Sequence, residues 1–156
     1  MPEQLQQTAR DIMSVDVPTL SRDASVENAV TLLAGRDIAY AVIVDGDGGP
    51  AGMITEGDLL ALAQRDRKRP GGLLQRMLQE EHHLADTMRE LRKAIASDVA
   101  DVMSAPVESV TPDTPIARIA ALMEAYDYRQ LPVVEDGRLL GIVTRQDIVR
   151  AIADRP

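Results

Sequence analysis

Two threonines in the chain stand three residues ahead of an aspartate, each at the end of a short apolar run. Thr55 precedes Asp58 in Gly52-Met53-Ile54-Thr55-Glu56-Gly57-Asp58, and Thr144 precedes Asp147 in Gly141-Ile142-Val143-Thr144-Arg145-Gln146-Asp147. A strand-to-helix junction gives these residue types a joint use. There the first helical amides have no intrahelical acceptor and the helix dipole favours an anion, so a hydroxyl beside them helps to hold a phosphate. A carboxylate one turn into the helix can accept hydrogen bonds from both vicinal hydroxyls of a ribose. The glycine allows a sharp turn and the close approach of a ligand. Thr and Asp together therefore suit a ribose phosphate. The same spacing is also nearly a capping box, in which the threonine caps the helix and the acidic residue reaches back to the backbone. The two readings are compatible, because a capping threonine can still face a ligand. Recurrence at matched positions is what favours the ligand.

The junctions belong to a longer internal repeat. Asp11-Ile12-Met13-Ser14 returns as Asp101-Val102-Met103-Ser104, and Ala41-Val42-Ile43-Val44 as Leu131-Pro132-Val133-Val134. The offset is 90 from Met13 to Met103 and 89 from Thr55 to Thr144. The extra residue falls in the turn Asp45-Gly46-Asp47-Gly48-Gly49-Pro50, whose counterpart is Glu135-Asp136-Gly137-Arg138. A length change is cheapest in such a turn.

Each half reads as β-α-β-β-α. An extended piece (17–20; 107–110) leads to a helix with apolar residues at helical spacing: Val26, Ala29, Val30, Leu33 and Ile116, Ile119, Ala120, Met123. Ser21 and Asp23 mark the start of the first such helix, and Thr111-Pro112-Asp113 that of the second. A hairpin follows (41–44 with 53–54; 131–134 with 140–143), then a second helix (58–64; 147–153). The expected fold is α/β: two βαββα repeats over 10–65 and 100–155, packed about a pseudo-twofold axis, with a linker and an extra helix over 66–99 between them. Within that insertion Met77, Leu84, Met88, Leu91 and Ile95 predict a helix from Leu73 to Ser97 that packs on protein: its own repeats, a second subunit or a separate partner.

Composition narrows the function classes. Hydrophobic residues are 45% of the 156, while aromatics are 2%, so the core is aliphatic and stacking platforms for single-stranded nucleic acid are nearly absent. The net charge of −8 argues against DNA or RNA as partners. The absence of Cys excludes disulfides and thiolate chemistry. The chain lacks a signal-peptide pattern and any apolar run near the roughly 20 residues of a membrane span, so a cytoplasmic protein with no membrane partner is expected. No Ser/His/Asp set is apparent, and the adjacent His82 and His83 would point apart on a helix rather than share a metal. Gly46-x-Gly48-Gly49 opens no helix and reads as a turn, and the basic run Arg65 to Arg69 reads as a solvated linker.

The pattern Asp-hydrophobic-Met-Ser, then Leu-Pro-Val-Val, then Gly-Ile-Val-Thr-x-x-Asp resembles the CBS domain family, and the whole chain resembles a tandem CBS pair. The resemblance implies a regulatory module that binds AMP, ADP, ATP, S-adenosylmethionine or NAD in clefts between its repeats, with no obligatory cofactor and no catalysis. It implies that Thr55 and Thr144 lie on the phosphate side, that Asp58 and Asp147 bind ribose, and that the segments at Val17–Thr19 and Val107–Ser109 pack on adenine. It also implies a homodimer formed through the helices that close each repeat, where Leu59, Leu60, Leu62, Ile148, Val149 and Ile152 offer apolar surface. The regulated enzyme or transporter is then a separate chain. A structural dimerisation adaptor that binds no ligand is the alternative. Arg129 and Arg145 accompany the second junction alone; the first has Ala39 and Glu56 nearby instead. Residues 1–62 hold ten acidic residues against three arginines, and residues 101–156 hold nine against six. An anion site is therefore better supported at Thr144/Asp147 than at Thr55/Asp58.

Overall fold

The computed structural model describes residues 6–68 (side chains to 62), 97–104 and 108–154. The element order is α1 (Ala9–Ile12), β1 (Thr19–Ser21), α2 (Val26–Arg36), β2 (Tyr40–Val44), β3 (Pro50–Thr55), α3 (Glu56–Lys68), α4 (Val99–Val102), α5 (Ile116–Tyr126), β4 (Gln130–Glu135), β5 (Arg138–Thr144) and α6 (Arg145–Ala153). The mixed α/β expectation holds. Strands β1, β2 and β3 form one sheet in that order, and β4 and β5 form another. The expected insertion helix from Leu73 lies outside the described residues, and so does Val107. In the second half the extended piece is represented by Val110, which bridges in parallel to Val133. Among the described residues no helix is long and apolar enough to cross a membrane.

The chain divides into two compact units: Met1–Val17 with Val44–Ala51 and Pro106–Pro156, and Pro18–Ile43 with Gly52–Ala105. The second unit buries Val26, Ala29 and Leu33 of α2, Ala41 to Ile43 of β2, Ile54 of β3 and Val99 of α4. Val30, expected on the same apolar face, is 39% exposed. The first unit is built around Ile116, Ile119 and Met123 of α5, Leu131 and Val133 of β4, and Val143 of β5, with Ala9 and Ile148. The strands are buried on both faces, and the i, i+3, i+7 helix positions of α5 supply the aliphatic side chains that interdigitate with them without aromatic filler.

Helix starts differ from the expectation. Ser25, not Ser21 or Asp23, caps α2, accepting from the Asn28 amide at 3.1 Å while Asn28 Oδ1 accepts from the Ser25 amide at 3.0 Å. Ser21 instead closes the preceding turn, where its carbonyl accepts from the Ala24 amide. In the second half Thr111 and Thr114 make that turn and Pro115 is the N-cap. Residues with short polar side chains serve turns and caps alike, so the sequence signal is displaced by one turn. Helices α3 and α6 start two residues earlier than expected, because each threonine is itself the cap.

The β4–β5 hairpin turns on Asp136 (φ 53°) and Gly137 (φ 77°), two successive left-handed residues that match the twist of the strands. A leading arm lies along each hairpin. In the first unit Ser14 and Ile142 exchange backbone hydrogen bonds, both 2.9 Å; in the second Ser104 and Met53 do so, at 2.9 and 3.0 Å. The glycine before each strand residue permits the contact. A Cβ on Gly141 would lie 2.7 Å from the Ser14 carbonyl oxygen and 2.8 Å from Met13 Sδ.

The clash sets a testable contrast. Gly141→Ala is expected to destabilise the protein by about 1–3 kcal/mol through overpacking. Gly35→Ala, in α2 with nothing within 4 Å of the added carbon, is expected to be neutral or to stabilise by about 0.5 kcal/mol. Urea denaturation of the two variants measures the difference.

Candidate functional site

Both Thr-x-x-Asp pairs sit where a strand enters a helix. Thr144 ends β5 and caps α6: its Oγ1 accepts from the Asp147 amide at 3.2 Å, and Asp147 Oδ2 accepts from the Thr144 amide at 2.8 Å. Thr55 ends β3 and does the same for α3, with distances of 3.2 and 2.9 Å to and from Asp58. Each pair is thus a complete capping box, and two otherwise orphaned amides are satisfied at each helix start. All four side chains are half-buried, so one face of each box remains open to solvent.

The boxes differ in what else they hold. At the first, Thr55 Oγ1 also donates to Asp58 Oδ2 at 3.1 Å, and the Ser104 hydroxyl donates to Asp58 Oδ1 at 3.1 Å. Ser104 was not among the expected site residues, although it ends the repeated Asp-hydrophobic-Met-Ser motif, and that repetition was the available signal.

Arg145 is held apart from the cap it follows. Its Nε donates to the Tyr128 carbonyl at 2.7 Å, and its Nη2 pairs with Asp127 Oδ1 at 2.8 Å. Asp127 is the left-handed residue that ends α5 (φ 56°). The Arg145 hydrogen bond, and then its charge, hold the Asp127 carboxyl below the ordinary value of 3.8, with a smaller contribution from Arg129. Arg129 is exposed, and its carbonyl accepts from the Arg145 amide at 3.0 Å. Glu56 takes the corresponding place in the first half, where its amide donates to the Ala39 carbonyl at 3.0 Å. Asp37 matches Asp127 there as a left-handed helix end (φ 52°). The clamp is therefore a property of the second half, since the first carries two acids at the same positions.

An open cavity of about 390 Å³ lies between α5 and α6, lined by Ala120, Met123, Glu124, Asp127, Arg145, Ile148 and Val149. Of the expected site residues it includes Arg145 alone. Thr144, Asp147, Arg145, Arg129, Ser109 and Val17 belong to the first unit, and Thr55, Asp58 and Thr19 to the second. Thr19 and Ser109 are exposed, and Val17 is half-buried. Ile148, expected on an external apolar face, is instead 8% exposed and packs in the core. Among the described residues no group of three His, Asp or Glu is placed to hold a metal ion.

A family model for the CBS domain matches residues 9–65 and 99–154. The uncharacterized protein MJ1404 of Methanocaldococcus jannaschii is 32% identical over 143 residues, which cover 92% of this chain and 31% of that protein. MJ1426 of the same organism is 29% identical over 151 residues, covering 92% and 89%. The chain thus spans about a third of the first relative's length and most of the second's. Among solved structures, CBSX2 in complex with AMP superposes with a TM-score of 0.71 at 27% identity, covering 94% of this chain and 96% of that one; CBSX2 is a protein of Arabidopsis thaliana.

Two measurements check this geometry. Thr144→Val should destabilise the protein by about 1 kcal/mol through loss of the cap, read as faster amide exchange in the first turn of α6. The Asp127–Arg145 pair should stabilise the fold above the unfolded carboxylate value of about 3.9, and lose that contribution as pH falls through the lowered folded value. In Arg145→Gln the Asp127 midpoint, followed by NMR, should rise toward the ordinary value.

Proposed function

The chain belongs to the CBS domain family and carries two copies of the domain, and on that premise we propose that it is a regulatory module that binds an adenine nucleotide or a related adenosyl ligand at its Thr-x-x-Asp junctions and catalyses no reaction itself. CBS pairs are generally regulatory rather than enzymatic. The observation that carries the reading is the matched pair of half-open boxes, each presenting a carboxylate and a hydroxyl at the start of a helix, in a chain that resembles an AMP-bound protein over 94% of its length. Thr55 and Thr144 serve the phosphate side, and Asp58 and Asp147 the ribose. Val17, Thr19, Val107 and Ser109 belong to the segments that would pack on adenine. Arg129 and the unpaired nitrogen of Arg145 add positive potential at the second junction.

The proposed repeats run over 10–65 and 100–155, with 66–99 as the intervening segment. The module would act in the cytoplasm as a homodimer and signal to a separate enzyme or transporter. Leu60 (66% exposed), Val149 (62%) and Ile152 (49%) supply apolar surface on the helices that close each repeat. Side chains of this kind gain about 1.5–3 kcal/mol each on full burial, which favours their coverage by a second copy.

Isothermal calorimetry with AMP tests the proposal. Binding is expected, and Asp147→Ala should weaken it more than Asp58→Ala does. Loss of a carboxylate that accepts from ribose hydroxyls costs about 1.5–3 kcal/mol. Amide exchange in the first turn of α6, followed in ligand-free Asp147→Ala, separates a lost ligand contact from a frayed cap. Absence of binding by AMP and by S-adenosylmethionine would leave the dimerisation adaptor as the better reading.

A further inference from the structure

We infer that Ser104 is an affinity-determining residue at the first junction, because its hydroxyl occupies the Asp58 oxygen that a ribose hydroxyl would need. The two junctions are then unequal, and the one at Thr144/Asp147 fills first. This rests on the reading of both junctions as ribose phosphate sites.

At Asp58 both carboxylate oxygens are engaged within the chain. Oδ2 accepts from the Thr55 amide (2.9 Å) and the Thr55 hydroxyl (3.1 Å), and Oδ1 accepts from the Ser104 hydroxyl (3.1 Å). The proton of the Thr55 hydroxyl is spent as well. At Asp147, Oδ2 accepts from the Thr144 amide (2.8 Å), and the Thr144 hydroxyl accepts from the Asp147 amide. Among the described residues Asp147 Oδ1 has no donor and the Thr144 hydroxyl proton no acceptor. The first box keeps a single acceptor site on Oδ1 and no hydroxyl proton for a diol, whereas the second keeps the whole of Oδ1 and a hydroxyl proton.

The inequality lies in side chains. Ser14 holds the place in the second junction that Ser104 holds in the first: Ser14 and Ile142 exchange two backbone hydrogen bonds of 2.9 Å, as Ser104 and Met53 do at 2.9 and 3.0 Å. Both serines are therefore pinned alike, but the Ser104 hydroxyl alone reaches a carboxylate. A serine hydroxyl and a ribose hydroxyl are the same kind of donor to that oxygen, so one substitutes for the other. Ser104 is exposed, so water and ligand can both reach the bond and displacement does not require the core to open. The arm that carries Ser104 follows directly from α4, so exchange of its hydroxyl for a ligand would also change how firmly that arm is held.

Calorimetric titration with AMP of the wild-type protein, Ser104→Ala, Ser104→Thr, Asp147→Ala and the double variant Ser104→Ala/Asp58→Ala tests the inference. Ser104→Ala keeps both backbone bonds of the arm and is expected to tighten the weaker AMP site by about fivefold, the scale of one competing hydrogen bond. Ser104→Thr, which keeps the hydroxyl, should retain the wild-type isotherm, and adding Asp58→Ala should abolish the gain. A wild-type isotherm weakened by Asp147→Ala but unchanged by Ser104→Ala would overturn the role of Ser104 alone. A gain that survives Asp58→Ala would overturn it as well. No AMP binding in any of the proteins would overturn both this inference and the nucleotide reading.

Discussion

The absence of a side chain at Gly52 and Gly141 is the constraint on which the arrangement of both junctions depends. Each glycine lies in the second strand of a hairpin, three residues before the threonine that ends it, with a buried pair between. There a leading arm crosses at a distance that a Cβ would close: Gly141 faces Ser14 and Met13, and Gly52 faces Met103 and the Ser104 carbonyl at 3.0 Å. The approach allows the arm's serine to exchange two backbone hydrogen bonds with the next strand residue. It satisfies strand groups that would otherwise be unpaired, and it brings a hydroxyl to the neighbourhood of the following helix start. The placement of Ser104 against Asp58 follows from this contact, and that pair is 46 residues apart in sequence.

At the junctions themselves, stability and binding draw on the same atoms. A capping box uses a hydroxyl as acceptor and one carboxylate oxygen as acceptor; at Thr144/Asp147 this leaves the second oxygen and the hydroxyl proton uncommitted, while at Thr55/Asp58 the hydroxyl proton and part of the second oxygen are already engaged. A ligand with vicinal hydroxyls can use what remains without uncapping the helix. The local chemistry is compatible with a chain of net charge −8 because the anion would meet helix amides and the second junction's arginines, while most of the acidic excess is carried elsewhere in the first half. Arg145 illustrates the compromise. Its tie to Asp127 and to the Tyr128 carbonyl fixes the guanidinium with two of its donors and leaves the rest available.

Much of the fold was legible in the sequence because its signals are local. The repeat of Gly-x-x-Thr-x-x-Asp located both strand-to-helix junctions, since a glycine, a capping threonine and an acidic third residue have few other settings. Two short apolar runs flanking the Asp136-Gly137 turn located β4 and β5 for the same reason. The helix face of Ile116, Ile119 and Met123 is buried as its spacing requires. Displacements occurred where one residue type has two local uses: Ser21 and Asp23 signalled a helix and made a turn, while Ser25 made the cap. Ile148 read as external because a helix of nine residues presents apolar groups on more than one side, and periodicity does not say which side meets the core.

The sequence by itself determined the twofold recurrence, the aliphatic composition, the two Thr-x-x-Asp junctions and the family resemblance, because each is read from residue types and short motifs that do not depend on how the chain packs. The tertiary structure alone decided which atoms of those boxes remain open. That Ser104 donates to Asp58, that Arg145 turns to the end of α5, and that Ile148 faces inward all depend on segments far apart in the chain being brought within hydrogen-bonding or van der Waals range. Spacing along the chain carries no information about such distances; packing and backbone pairing set them.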